Sequence, residues 1–193
     1  SCERAVLVEQ AQPPGLLITN GEFVGRWGSE EAVCVEIGPD VEGVVSLNNC
    51  SFWGPIDRCV WMRSTSGQFT ASACHFVHWD NRNIGSAALQ IDAGKALVQG
   101  CSFDQDNLDV LVGPAVVSAI LTANQAAGGF RVENQAGDRA VMGLNQAMDD
   151  LRDEKEMTRL IDMEKEKNPK VRKWLDEERH YMSLTKEDFS KFD

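Results

Sequence analysis

Between Gly15 and Asn145 a short apolar strand, a small residue and then a phenylalanine recur along the chain. A unit this short cannot bury its own apolar face, so copies of it must stack on one another. Aligned on the residue three before each Phe, the copies run Leu17 to Phe23, Ser46 to Phe52, Thr70 to Phe76 and Leu97 to Phe103, with weaker ones at Leu121 to Asn124 and Val141 to Asn145. The anchors Asn20, Asn49, Ala73, Gly100, Asn124 and Asn145 are 29, 24, 27, 24 and 21 residues apart, the length of one solenoid coil.

A second strand lies between successive anchors: Val35-Glu36-Ile37, Val60-Trp61-Met62, Leu89-Gln90-Ile91, Val110-Leu111-Val112 and Phe130-Arg131-Val132. Apolar residues alternate with period two, which places Glu36, Trp61, Gln90, Leu111 and Arg131 outward and their branched or aromatic neighbours inward. Helical spacing is absent from this region, as are the regular Leu framework and helix-compatible limb of a leucine-rich repeat. The pattern predicts an all-β solenoid of about five to six coils over residues 1–145.

These coils resemble the right-handed parallel β-helix of the pectate lyase-like superfamily, whose members often carry an inward asparagine ladder at a turn. Asn20, Asn49, Asn124 and Asn145 stand where such a ladder would run, and Ala73 and Gly100 interrupt it. Asparagine suits a bend because its amide bonds nearby backbone groups and stacks on the amide above. The resemblance covers roughly residues 4–145 and is one of fold, without a catalytic signature. It implies a polysaccharide as substrate or ligand, cleavage by hydrolase or lyase chemistry, and an extracellular or periplasmic location.

Val6-Leu7-Val8 precedes Asn20 by 14 residues, just as Val35 precedes Asn49 by 14. It therefore reads as the second strand of a coil whose first half is missing. An open solenoid end exposes strand edges and apolar core. The expectation is the C-terminal part of a longer β-helix, or a partner chain that covers the first coil.

Most of the net charge of −11 belongs to the solenoid, where 16 acidic residues face 8 basic ones. Phosphate binding needs clustered Lys and Arg, so nucleic acid and anionic membrane are poor partners for this surface. No apolar run is long enough to span a bilayer. Past Asn145 the spacing turns helical, with Met157, Leu160, Ile161 and Glu164 on one side, and helices are expected over about 147–167, 169–182 and 185–192. Asn168-Pro169 supplies a cap and first-turn proline, and Thr185 with Asp188 a capping pair. Val171, Trp174, Leu175 and Met182 give this charged tail an apolar face, so it reads as a cap on the β-helix or as a partner-docking element.

Cys50, Cys74 and Cys101 share one column just after the anchor, and Cys34 and Cys59 share another. Adjacent coils lie about 4.8 Å apart, within reach of a disulfide, yet free buried thiols fit an apolar column as well. The spacings lack a C-x₂-C pair, so metal binding by these cysteines is not expected.

Chemistry belongs where the coils vary, in loops projecting from the rigid stack. The four loops that follow each Phe carry Trp27; then Trp53, Asp57 and Arg58; then His78, Trp79 and Asp80; then Asp104 and Asp106, with Trp61 just beyond the second loop. Indole faces beside carboxylates and Arg suit sugar rings, which present CH surfaces to aromatics and hydroxyls to charged groups. Carboxylates one coil apart would stand about 5 Å apart and two coils apart about 10 Å, near the separations of retaining and inverting hydrolysis. Asp57 with Asp80 fits the first geometry, and Asp57 with Asp104 or Asp106 the second. His78 would act as base or position a hydroxyl, and Arg58 would hold a sugar carboxylate or stabilise charge. No cofactor is expected, although the Asp104 to Asp109 run offers oxygens to Ca²⁺ without the Gly and terminal Glu of an EF-hand loop.

Two functions follow as expectations. One is the C-terminal portion of a carbohydrate-active β-helix that cleaves or binds a glycan through these loops. The other is a non-catalytic adhesin-like or assembly module whose tail docks partners.

Overall fold

Each strand among the described residues pairs in parallel with strands from neighbouring coils, so equivalent positions of the repeat lie one above another. The computed structural model describes residues 4–10, 15–25 and 32–148. They form a parallel β-solenoid of about five turns, with three strands to a turn. The first face holds β1 (Arg4–Val8) and, one turn on, β4 (Val33–Ile37), and the register Val6↔Val35 sets the two strands side by side as the sequence spacing predicts. The second face starts with β2 (Leu16–Thr19) and β5 (Val44–Asn48), the third with β3 (Glu22–Val24) and β6 (Ser51–Trp53).

The next turn repeats the order as β7 (Arg58–Met62), β8 (Gln68–Ser72) and β9 (His75–Phe76). In the following turns β10 (Leu89–Gln99) and β12 (Val110–Thr122) run without a break across the first and second faces, while β11 (Ser102–Phe103) and β13 (Gln125–Ala127) continue the third. β14 (Val132–Asn134), β15 (Ala140–Gly143) and β16 (Gln146–Met148) complete the three faces. The bend inside β10 coincides with two register shifts against β12, and Gly94 sits there at φ 76. A side chain at Gly94 would place its Cβ 2.5 Å from the Ser64 carbonyl oxygen, so the close coil above excludes any other residue.

Between the second and third faces the backbone turns once per coil through a left-handed residue. These residues are Asn20, Asn49, Ala73, Gly100, Ala123 and Leu144, with φ between 50 and 60. The last two correct the sequence register, which has Asn124 and Asn145 at this bend. Both asparagines stand one position later, in the interior column that Cys50, Cys74 and Cys101 occupy in the coils before them. There Asn124 is fully buried; its Oδ1 accepts the Cys101 N–H at 3.0 Å, and its Nδ2 donates to Val98 O at 3.2 Å and Asn145 Oδ1 at 3.1 Å. A buried amide with these partners is satisfied, and it is stable in the core for that reason. The expected ladder exists as two separate pairs, because Asn49 Nδ2 donates to Asn20 Oδ1 at 2.8 Å on the outer side of the bend.

Three positions past the bend, Phe23, Phe52, Phe76 and Phe103 stack with centroids 4.7, 5.1 and 4.8 Å apart and planes within 21° of parallel. The column then shrinks to Ala126 and Ala147, which lie in register below Phe103. Phe130 closes the space left there, tilted against Phe103 at 5.4 Å. That contact explains a second correction: the last strand of the first face is Val132–Asn134, with Glu133 rather than Arg131 in the outward column of Glu36, Trp61, Gln90 and Leu111.

Strand β16 continues the solenoid past the expected boundary at 145. The helix expected from about 147 finds its first two positions in β16 instead, and the remainder of the expected helices, at 149–167, 169–182 and 185–192, lies outside the described residues. Among the described residues no helix is long and apolar enough to cross a membrane.

Phe76 is fully buried in the middle of the aromatic column. Phe76→Ala should lower the unfolding free energy by about 3–5 kcal/mol, read from the urea midpoint at unchanged m-value.

Candidate functional site

The long loops between the third and first faces are built around polar groups turned inward. Asp57 is 2 % exposed, and Arg82 from the next coil donates to it twice, from Nε to Oδ2 at 2.7 Å and from the backbone N–H to Oδ1 at 3.3 Å. Asp80, at φ 52 and nearly buried, accepts the backbone N–H groups of Ile84 and Ser86 on Oδ1 at 2.9 and 3.0 Å, and that of Gly85 on Oδ2 at 3.1 Å. Trp79 is fully buried, edge-on to Phe103, with Nε1 donating to Leu108 O at 3.0 Å.

Asp57, Asp80 and Trp79 are therefore scaffold for the loop flank, which corrects their placement as sugar-facing groups. The physical cause is the length of the 79–88 loop. Its turn amides need acceptors, and short Asp side chains supply them locally.

Two other expected residues also point into local structure. His78 Nδ1 lies 2.7 Å from Gly54 O, and Asp106 pairs with Arg131 at the surface. Trp61 and Arg58 belong to the outer side of the first face. There Trp61 Nε1 donates to Asp92 Oδ2 at 2.7 Å, Arg58 and Arg63 lie 5.3 and 4.9 Å from its ring centroid, and Arg58 Nε donates to Gln90 Oε1 at 2.5 Å. Glu36, nearly buried beside them, accepts from Arg4 and Arg63. Trp27 lies outside the described residues.

A different group forms on the third face. Trp53 is 43 % exposed, in register with exposed Val24 above it and next to Val77 below, whose N–H donates to Phe52 O at 2.8 Å. Its Nε1 donates to Glu22 Oε1 at 3.0 Å, which fixes the indole on the sheet. One coil past Val77 stands Asp104, whose Oδ2 lies 2.7 Å from Nε2 of exposed His75. Together they make an apolar strip with a carboxylate-anchored indole toward one end and a His–Asp pair toward the other. Of this group the loop reading contains Trp53 and Asp104 and misses Glu22 and His75. Period-two alternation carried through the short Phe strands would find both, since Glu22, Ser51, His75 and Ser102 share the outward column beside the Phe stack.

The described cysteines, Cys34, Cys50, Cys59, Cys74 and Cys101, are free and buried. Burial pushes the Cys34 thiol up to about 12 and raises Cys59 well above its ordinary value. Cys101 is raised as well, by its hydrogen bond to Cys74 and by burial. Held protonated in this way, Cys34, Cys59 and Cys101 are packing groups rather than nucleophiles. Among the described residues no three His, Cys, Asp or Glu side chains converge as metal ligands. Compared with family models, curated proteins and solved structures, the chain matches none.

One buried acid stands apart. Asp109 is fully buried; Oδ2 accepts the Arg131 N–H at 2.7 Å, and Oδ1 has no hydrogen-bond partner. Burial pushes its carboxyl up to about 7, against the lowering effect of the Arg131 amide. The folded chain then holds a proton that the unfolded chain has already released. Its contribution to stability is complete at acid pH, declines above pH 4 and is gone above about 7.

Asp109→Asn should accordingly raise stability at pH 8 by about 2 kcal/mol and change it little at pH 4, measured by urea unfolding at both values. Arg82→Ala, by contrast, leaves the buried Asp57 carboxylate without its cation. A loss of about 2–3 kcal/mol at pH 7 is expected in the same measurement.

Proposed function

We propose that this chain binds glycans along the third face, with Trp53 as the stacking platform. The observation that carries the reading is the half-exposed indole pinned to Glu22 in one line with Val24 and Val77. An aromatic ring held in place stacks on a sugar's CH surface without losing side-chain freedom on binding, and the flanking carboxylates and His75 offer partners to hydroxyls. Resemblance to the pectate lyase-like superfamily supports polysaccharide as the ligand class.

Binding is favoured over cleavage on distance and on occupancy. The oxygens of Asp57 and Asp80 already accept hydrogen bonds within the loop flank. Glu22 and Asp104, on the third face, belong to turns three coils apart, or about 14 Å, beyond the roughly 5–9.5 Å that a pair of glycosidase carboxylates needs.

Affinity electrophoresis of the full chain through neutral and acidic polysaccharides tests this. At least one glycan should retard the protein, and Trp53→Ala should weaken that binding about tenfold or more while leaving the melting temperature nearly unchanged, because the ring is half exposed. No release of reducing or unsaturated ends is expected. Equal retardation of wild type and Trp53→Ala, or none for any glycan, would sink the proposal.

A further inference from the structure

The second face differs from the other two in charge. Its central outward column reads Leu17, Ser46, Thr70, Leu97, Ile120 and Val141 in successive coils. Of the outward residues on its paired strands, Lys95 alone is charged. The first face carries Glu36, Arg58, Asp92 and Glu133, and the third Glu22, His75 and Asp104. For a chain of net charge −11, one sheet face almost free of charge is an exception to its own composition.

That face is also apolar where it is most open: Leu17 is 65 %, Ile120 44 % and Val141 60 % exposed. Four of the polar side chains between them bond one another across coils. Thr70 Oγ1 donates to Ser46 Oγ at 2.8 Å, and Gln99 Nε2 to Ser72 Oγ at 3.2 Å. Desolvating such a surface strips no carboxylate of water.

We infer that the second face is a self-association surface, on which a second copy of this chain packs sheet against sheet. Charge selects the occupant. Two copies of an acidic chain repel each other through most of their surfaces, and the approach that keeps carboxylates apart is this one. Size agrees as well. Six strands spaced about 4.8 Å, with two or three outward residues each, cover about 500 Å² per copy, so a pair buries about 1,000 Å², the lower limit of a specific interface.

A two-fold axis near Thr70 and Leu97 completes the fit. It lays Leu17 of one copy over Val141 of the partner subunit and sets Ser46 against the partner subunit's Ile120, so the aliphatic ends meet each other and the hydroxyls lie toward the middle. Aligned sheets pack at about 10 Å, which the short Ser and Thr side chains allow. The inference does not depend on the third face binding anything.

Sedimentation equilibrium of the full chain at micromolar concentration reads the outcome. Wild type should show a monomer–dimer equilibrium that tightens as salt rises, since salt screens the repulsion between acidic copies and there is no ion pair at the interface to weaken. Ile120→Lys with Val141→Lys should weaken dimerisation at least about tenfold, with circular dichroism and melting temperature close to wild type because both positions are exposed. A second variant, Trp53→Ala, should leave the dimer unchanged. A wild-type monomer at all concentrations overturns the inference, and so does a dimer that the double lysine variant fails to weaken or one that salt dissociates.

Discussion

Parallel stacking in register is the constraint on which the rest of this structure depends. Once coils repeat at the spacing of a β-ladder, any side chain must tolerate its equivalent about 4.8 Å away, above and below. Planar phenylalanines satisfy this by stacking, asparagines by bonding amide to amide, and cysteines by being small and apolar. Charged residues cannot satisfy it inside, and they are driven to the outer surface or into pairs. Even the backbone obeys, since the left-handed bend recurs at the same position in every coil. Two of these bends fall on Ala73 and Ala123, and one on Leu144, a conformation that costs an ordinary L-residue roughly 1–2 kcal/mol. At the two alanines a bond from the bend N–H to the following coil, to Gln99 O and to Gly143 O, helps hold it.

Irregular loops obey a related rule. A stack of short turns cannot hide the backbone polar groups of a long connection, so each long loop brings its own acceptors. Asp80 gathers three amides of its loop, Asp57 holds Arg82, and Gln105 takes the Trp79 N–H. The flank that looks most like a binding cleft in the sequence is thus occupied with organising itself. The third face, where the strands are two or three residues long, instead turns Trp53, His75 and Asp104 toward solvent.

Repeat length and period-two alternation were enough to read the solenoid, its first-face strands and the Phe column, because these are properties of the repeat itself. Where the repeat degenerates, the pattern no longer distinguishes one position from the next. Asn124 and Asn145 imitate the bend residues of earlier coils, yet they stand in the interior column, and nothing local distinguishes an asparagine that turns the chain from one that bonds inside it. Phe130 imitates the start of a strand but turns inward to close the aromatic column above Ala126. At the candidate site, the loop residues drew attention by chemical type alone. Burial decides whether a tryptophan is a platform or a core residue, and burial at Trp79 and exposure at Trp53 follow from three-dimensional packing that one sequence does not display.

The aromatic column ends partway down the solenoid, and this gives the molecule a stiff half and a soft half. Stability in a stack of this kind is a sum over neighbours, so coils joined by ring-on-ring contacts hold together more firmly than coils joined by Ala126 and Ala147. Loosening therefore starts among the last coils and travels toward the first. Trp53 follows Phe52 directly and His75 precedes Phe76, so the proposed platform is mounted on the part of the stack that yields last. A spine of four rings serves in this way as the foundation of a surface it never touches from outside.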